Sequence, residues 1–67
     1  MKYVYLVYED CHGLIGAYGS SAKATECVER NILDIDPELL NVQPEFDSET
    51  AYGWEGACYW EREEIKY

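Results

Sequence analysis

Lys2-Tyr3-Val4-Tyr5-Leu6-Val7-Tyr8-Glu9, followed by Asp10-Cys11-His12-Gly13 and then Leu14-Ile15-Gly16-Ala17-Tyr18-Gly19, decides the fold. The first run is rich in Val and Tyr, the residues that favour a pleated, half-buried backbone. Lys2, Val4, Leu6 and Tyr8 share one face of such a strand, and Tyr3, Tyr5, Val7 and Glu9 share the other. Both faces are largely apolar or aromatic, which places the strand centrally in a sheet. Residues 10–13 read as a turn, with Gly13 free to take a positive φ. Residues 14–19 then close a hairpin, and Gly16 marks a bulge or a close backbone approach.

Downstream, Ser20 or Ser21 caps a helix expected from about Ser21 to Leu33. Ala24, Cys27, Val28 and Ile32 recur at helical spacing and form its apolar stripe, while Lys23, Glu26, Glu29 and Arg30 face out. Glu26 and Arg30 are an i,i+4 pair. Asp36-Pro37-Glu38-Leu39-Leu40 starts a second, short helix, with Asp36 as cap and Pro37 at its first position. Residues 41–50 read as a loop broken by Pro44. Residues 51–65 form either one long bent strand or two short ones turning at Glu55-Gly56. The fold class is α+β: a small antiparallel sheet in β-β-α-(short α)-β order, with the main helix on one face. Residues 1–67 make a single domain, since 67 residues do not support more.

If the helix covers one sheet face, Tyr3, Tyr5, Trp54 and Trp60 are candidates for the other. Left open, that aromatic face would be an interface. Folded over by the short helix and the 41–50 loop, it would be core. A homodimer through it would also enlarge a core that is small at this chain length.

Fourteen acids against five bases give a formal net charge of −9. Phosphate binding is supplied by Lys and Arg, so direct nucleic-acid binding is not expected. No apolar run approaches the roughly 18 residues of a membrane span. No cationic segment leads into an apolar stretch with a cleavage site, so a cytoplasmic location is expected. Cys11, Cys27 and Cys58 are an odd number at long spacings, which suits free thiols in a reducing compartment. A zinc site would need Cys11 and the neighbouring His12 on one ion, which is poor tetrahedral geometry, so no metal or other cofactor is expected. The acids do not follow the calcium-loop spacing, and no phosphate-binding glycine loop is present. Cys11 and His12, as sequence neighbours, do not make a nucleophile–base pair. The protein reads as a non-enzyme.

The charge is segregated. Residues 1–33 hold Glu9, Asp10, Glu26 and Glu29 against Lys2, Lys23 and Arg30. The rest of the chain holds ten acids against Arg62 and Lys66. Asp34, Asp36, Glu38, Glu45, Asp47 and Glu49 lie in a stretch with no base at all. Solubility alone asks for interspersed signs. One uniformly negative segment costs stability through self-repulsion, and its functional reading is a field aimed at a basic partner. Glu61, Glu63 and Glu64 extend that surface, and Tyr52 and Trp54 are its expected aromatic anchors. The commonest strongly basic protein surfaces are those that bind nucleic acid, and a rigid acidic body can imitate a short length of duplex.

Three stretches, Met1-Lys2-Tyr3-Val4-Tyr5-Leu6-Val7, Gly16-Ala17-Tyr18-Gly19-Ser20-Ser21-Ala22-Lys23-Ala24 and Cys27-Val28, resemble many small phage-encoded accessory proteins. These share a strand, turn, strand, a Ser-Ser or Ser-x-x-Lys-Ala step and an amphipathic helix. The resemblance covers residues 1–33. It implies an accessory protein of a phage or mobile element, a setting in which small acidic proteins often inhibit host defence or host nucleic-acid enzymes. Anti-CRISPR proteins, anti-restriction proteins and inhibitors of DNA-repair enzymes such as uracil-DNA glycosylase are examples. The acidic second half departs from the shared pattern, so no particular target carries over. The expected function is therefore an inhibitor that binds a basic, nucleic-acid-binding surface of a host protein by DNA mimicry. The alternative is a dimeric module that holds a protein or planar ligand on an exposed Tyr/Trp sheet face.

Overall fold

In the computed structural model, which describes residues 2–66, the Val- and Tyr-rich run forms β1 (Lys2–Glu9) and the segment after the turn forms β2 (Gly13–Tyr18). Gly13 takes φ +73° at the start of β2, as the turn requires. The register slips between Val7 and Tyr8, where Gly16 and Leu14 are their successive partners, so Ile15 is the extra residue of a bulge. The remaining strands are β3 (Phe46–Asp47), β4 (Ala51–Trp54) and β5 (Cys58–Ile65). The sheet runs β2-β1-β5-β4-β3, antiparallel throughout, so β1 has a neighbour on each side.

The C-terminal aromatic segment resolves into two strands joined at Glu55–Ala57, with Gly56 at φ +82°. The 41–50 stretch is not loop alone: it supplies the two-residue edge strand β3. Helix α1 (Ser21–Ile35) runs two residues beyond the expected end. The Ser20 side chain caps it by accepting from the Lys23 N–H at 3.3 Å. Asp36 ends it through its own N–H to Ile32 O, then caps the 3-10 helix Pro37–Asn41 by accepting from Glu38 N–H. One residue thus closes one helix and opens the next.

Ala24, Cys27, Val28 and Ile32 bury the helix stripe against Val7, Trp54, Ala57, Cys58 and Trp60. The small helix residues leave space that the two indoles fill, at 4% exposure for Trp54 and 3% for Trp60. This corrects the expected open face. Tyr5, Trp54 and Trp60 lie beneath the helix, and the open face instead carries Val4, Leu6, Tyr8 and Tyr59, with Phe46 and Leu14. Burial pushes the Cys58 thiol up to about 11, so it behaves as a small core residue. No helix among the described residues is long and apolar enough to cross a membrane.

Candidate functional site

The six acids from Asp34 to Glu49 are all exposed. They follow the chain from the last turn of α1, through the 3-10 helix, to the β3–β4 turn. Trp54 Nε1–H donates to Val42 O at 3.1 Å and pins this route to β4. In the β3–β4 turn, Ser48 Oγ accepts from Thr50 N–H at 3.2 Å, and Ser48 N–H reaches Ala51 O at 2.9 Å, which fixes the backbone on either side of Glu49. The ion pairs among the described residues are Arg30 with Glu26 and His12 with Glu9. None of the six acids belongs to either pair. Helix α1 has no acid in its first turn and no base in its last, where Asp34 sits at the negative end of the dipole.

The other expected residues divide by strand geometry. Glu61 and Glu63 stand on the open face beside Leu6 and Val4, while Glu64 points to the helix side with Tyr3. Burial, with the Glu61 carboxylate next, pushes the Tyr8 phenol above its usual range. Trp54 is not an exposed anchor. It is buried in the core, and its one polar atom is engaged by Val42. Tyr52 is half-buried on the helix side, and it is the expected anchor that the fold leaves accessible.

Tyr52 lines a groove of about 790 Å³ between α1 and the β3–β4 turn. Tyr5, Tyr52 and Trp60 form its floor, Glu26 and Glu29 of α1 stand on one wall, and Ser48 and Glu49 stand on the other. Trp60 and Tyr5 meet edge to face at 5.1 Å, and Tyr52 lies 6.5 Å from Trp60. Trp60 Nε1–H donates to Thr25 Oγ1 at 2.9 Å, holding the indole against the helix. The Tyr52 hydroxyl donates to Glu29 Oε2 at 3.4 Å, and burial, then Glu29, raises its pKa. Arg62 also reaches the groove, its guanidinium 4.1 Å from the centre of the Tyr3 ring.

Of the acids and anchors expected to bind a partner, the groove brings together two, Glu49 and Tyr52. Tyr5 and Trp60 were expected on an open aromatic face rather than in a groove, and Glu26 and Glu29 went unseen as site residues, because the meeting of the four depends on the helix crossing the sheet. The one signal within reach was strand parity, which puts Tyr5 on the Val7 face. Chemically, the arrangement offers acceptors and aromatic faces, a set that suits a cation rather than an anion. No protein-family model, characterised protein or solved structure matches the chain.

Proposed function

We propose that this protein is a non-enzymatic inhibitor of the kind phages encode, acting in the host cytoplasm on a basic, nucleic-acid-binding surface of a host protein. The observation that carries the reading is the set of six exposed acids with no ion-pair partner among the described residues, beginning at the wrong end of a helix dipole. Apart from Asp36, which caps the 3-10 helix, this placement lowers stability through repulsion and brings the fold no ion pair among the described residues. It does suit a surface meant to meet basic side chains.

Magnitudes set the terms of the mimicry. The molecule is 40 Å long. Its net charge of −9 is one charge per about 4.4 Å, 40 Å divided by nine. Duplex DNA carries one per about 1.7 Å. Charge alone leaves the protein weaker than a duplex of equal length, so contacts that DNA lacks must contribute, and the groove at Tyr52 and Glu49 is where they lie.

The test is binding to a host DNA-binding enzyme in rising salt, with duplex DNA as competitor. Binding falls steeply with salt and is displaced by DNA. The charge-reversed variant combines Asp34→Lys, Glu38→Lys and Glu45→Lys, and spares Asp36 because it caps the 3-10 helix. That variant loses inhibition while its circular dichroism is unchanged; full inhibition by the folded variant ends the proposal.

A second reading, a dimer through the open face, is favoured by one rung that crosses all five strands: Leu14, Tyr8, Tyr59, Gly53 and Phe46. Glu61 and Glu63 on the same face repel a second copy. This reading predicts self-association that strengthens with salt, the opposite dependence.

A further inference from the structure

We propose that the groove between α1 and the β3–β4 turn receives an arginine side chain. The inference rests on the reading of a basic partner only in that the arginine would belong to it. Tyr5 and Tyr52, both half-buried, supply the open ring faces, and Trp60, 3% exposed, closes the floor beneath them. A guanidinium is planar, weakly hydrated and stacks on such faces, whereas an ammonium is compact and holds its water.

Charge selects the same occupant. Glu26 is engaged by Arg30 at 2.6 Å. Glu29 is oriented by the Tyr52 hydroxyl at 3.4 Å. Glu49, on the turn fixed by Ser48 and Thr50, has no ion-pair partner among the described residues. Glu29 and Glu49 therefore face the groove against a single cation, Arg62, whose guanidinium already lies over Tyr3. An incoming arginine meets two carboxylates and an aromatic floor. An incoming anion meets one engaged guanidinium and two like charges.

The experiment is an NMR titration of the whole protein with N-acetylarginine amide, which carries a single charge. The two indole N–H signals act as probe and control, because Trp60 forms the groove floor and Trp54 is bound to Val42 O outside it. The Trp60 signal shifts and saturates with a Kd on the order of millimolar, and the Trp54 signal stays. N-acetyllysine amide, with its lysine ammonium free, binds more weakly, and N-acetylaspartate amide gives no shift. Glu29→Gln and Glu49→Gln each weaken arginine binding by about threefold to tenfold. Equal movement of both indoles, a shift with the aspartate probe, or wild-type affinity in both Gln variants overturns the proposal. Arginine binding that persists when the charge-reversed variant still inhibits sinks the mimicry reading and leaves the groove. Salt-sensitive inhibition with a silent Trp60 does the reverse.

Discussion

Phe46 and Tyr59 touch across a strand that lies between them: their rings are 5.3 Å apart, and Gly53, the partner of both, separates them in the sheet. The contact exists because Gly53 has no side chain. Its φ is +136°, and a Cβ there would stand 2.5 Å from Cys58 O and from Tyr59 Cα. Gly53→Ala therefore combines a strained backbone with overpacking, and should lower stability by about 3 kcal/mol or more in urea unfolding. A chain of this length holds about 3–10 kcal/mol in total, so the loss takes roughly a third of that stability or more. Gly19→Ala is the control, since a Cβ there meets nothing within 4 Å, and its midpoint stays near wild type. Equal midpoints for the two variants would show that β4 and β5 separate easily.

The hydrogen bond from Trp60 Nε1 to Thr25 Oγ1 joins the floor of the groove to α1. Thr25→Val keeps the shape and removes the acceptor, leaving a buried indole N–H unsatisfied at a cost of about 1–3 kcal/mol. Thr25→Ser keeps the hydroxyl and should lie much closer to wild type. Matching urea midpoints for the Val and Ser variants would mean the indole finds another partner.

Much of this fold was legible in local chemistry. The Val- and Tyr-rich run, the Gly13 turn, the Ser20 cap, the stripe of Ala24, Cys27, Val28 and Ile32, and the Asp36-Pro37 start all stand where their residue types direct. Tyr52, Trp54, Cys58 and Trp60, all of one parity, do share one face of the sheet. Parity did not reveal which face the helix covers, because both faces of β1 are apolar, and that choice decides whether Trp54 and Trp60 are core or surface. Strand β3 was hidden because two residues carry no periodicity. The groove was hidden for a further reason: its walls are 19 or more residues apart in sequence, from Glu29 to Ser48, and only the packing of α1 on the sheet brings Glu29 to Tyr52.

Glu9 is buried at 8% exposure, yet charged, at the end of β1. Its carboxylate bonds to His12 Nδ1 and accepts from Cys11 N–H at 3.3 Å. The His12 bond, outweighing burial, holds its pKa below the usual carboxylate value. A lowered folded pKa means that the unfolded chain takes up the proton first as pH falls. The stabilisation is therefore complete above the unfolded value of about 4.5 and is lost as pH drops through the lower folded value. Stability measured from pH 6 to pH 3 should fall less for Glu9→Gln than for wild type. Parallel curves would mean that the Glu9–His12 contact does not differ between the folded and unfolded chains.

Asp34 separates the demands of folding from those of binding. It sits in the last turn of α1, where the carbonyl end of the helix is already negative and no base compensates. Its side chain is exposed and makes no ion pair among the described residues, so replacing it breaks no ion pair there. Asp34→Lys should raise stability by about 0.3–1 kcal/mol at low ionic strength, with the gain shrinking in high salt. If the acidic surface serves a basic partner, the same substitution weakens binding, and most strongly at low salt. The stabilised variant is then the poorer inhibitor, a pattern expected where residues are placed for function rather than for the fold. Thermal midpoints and inhibition assayed across the same salt series read both effects from one protein. A variant that gains stability and inhibits as well as wild type would assign Asp34 to the solvated surface alone, and would move the weight of partner binding to Glu45, Asp47 and Glu49.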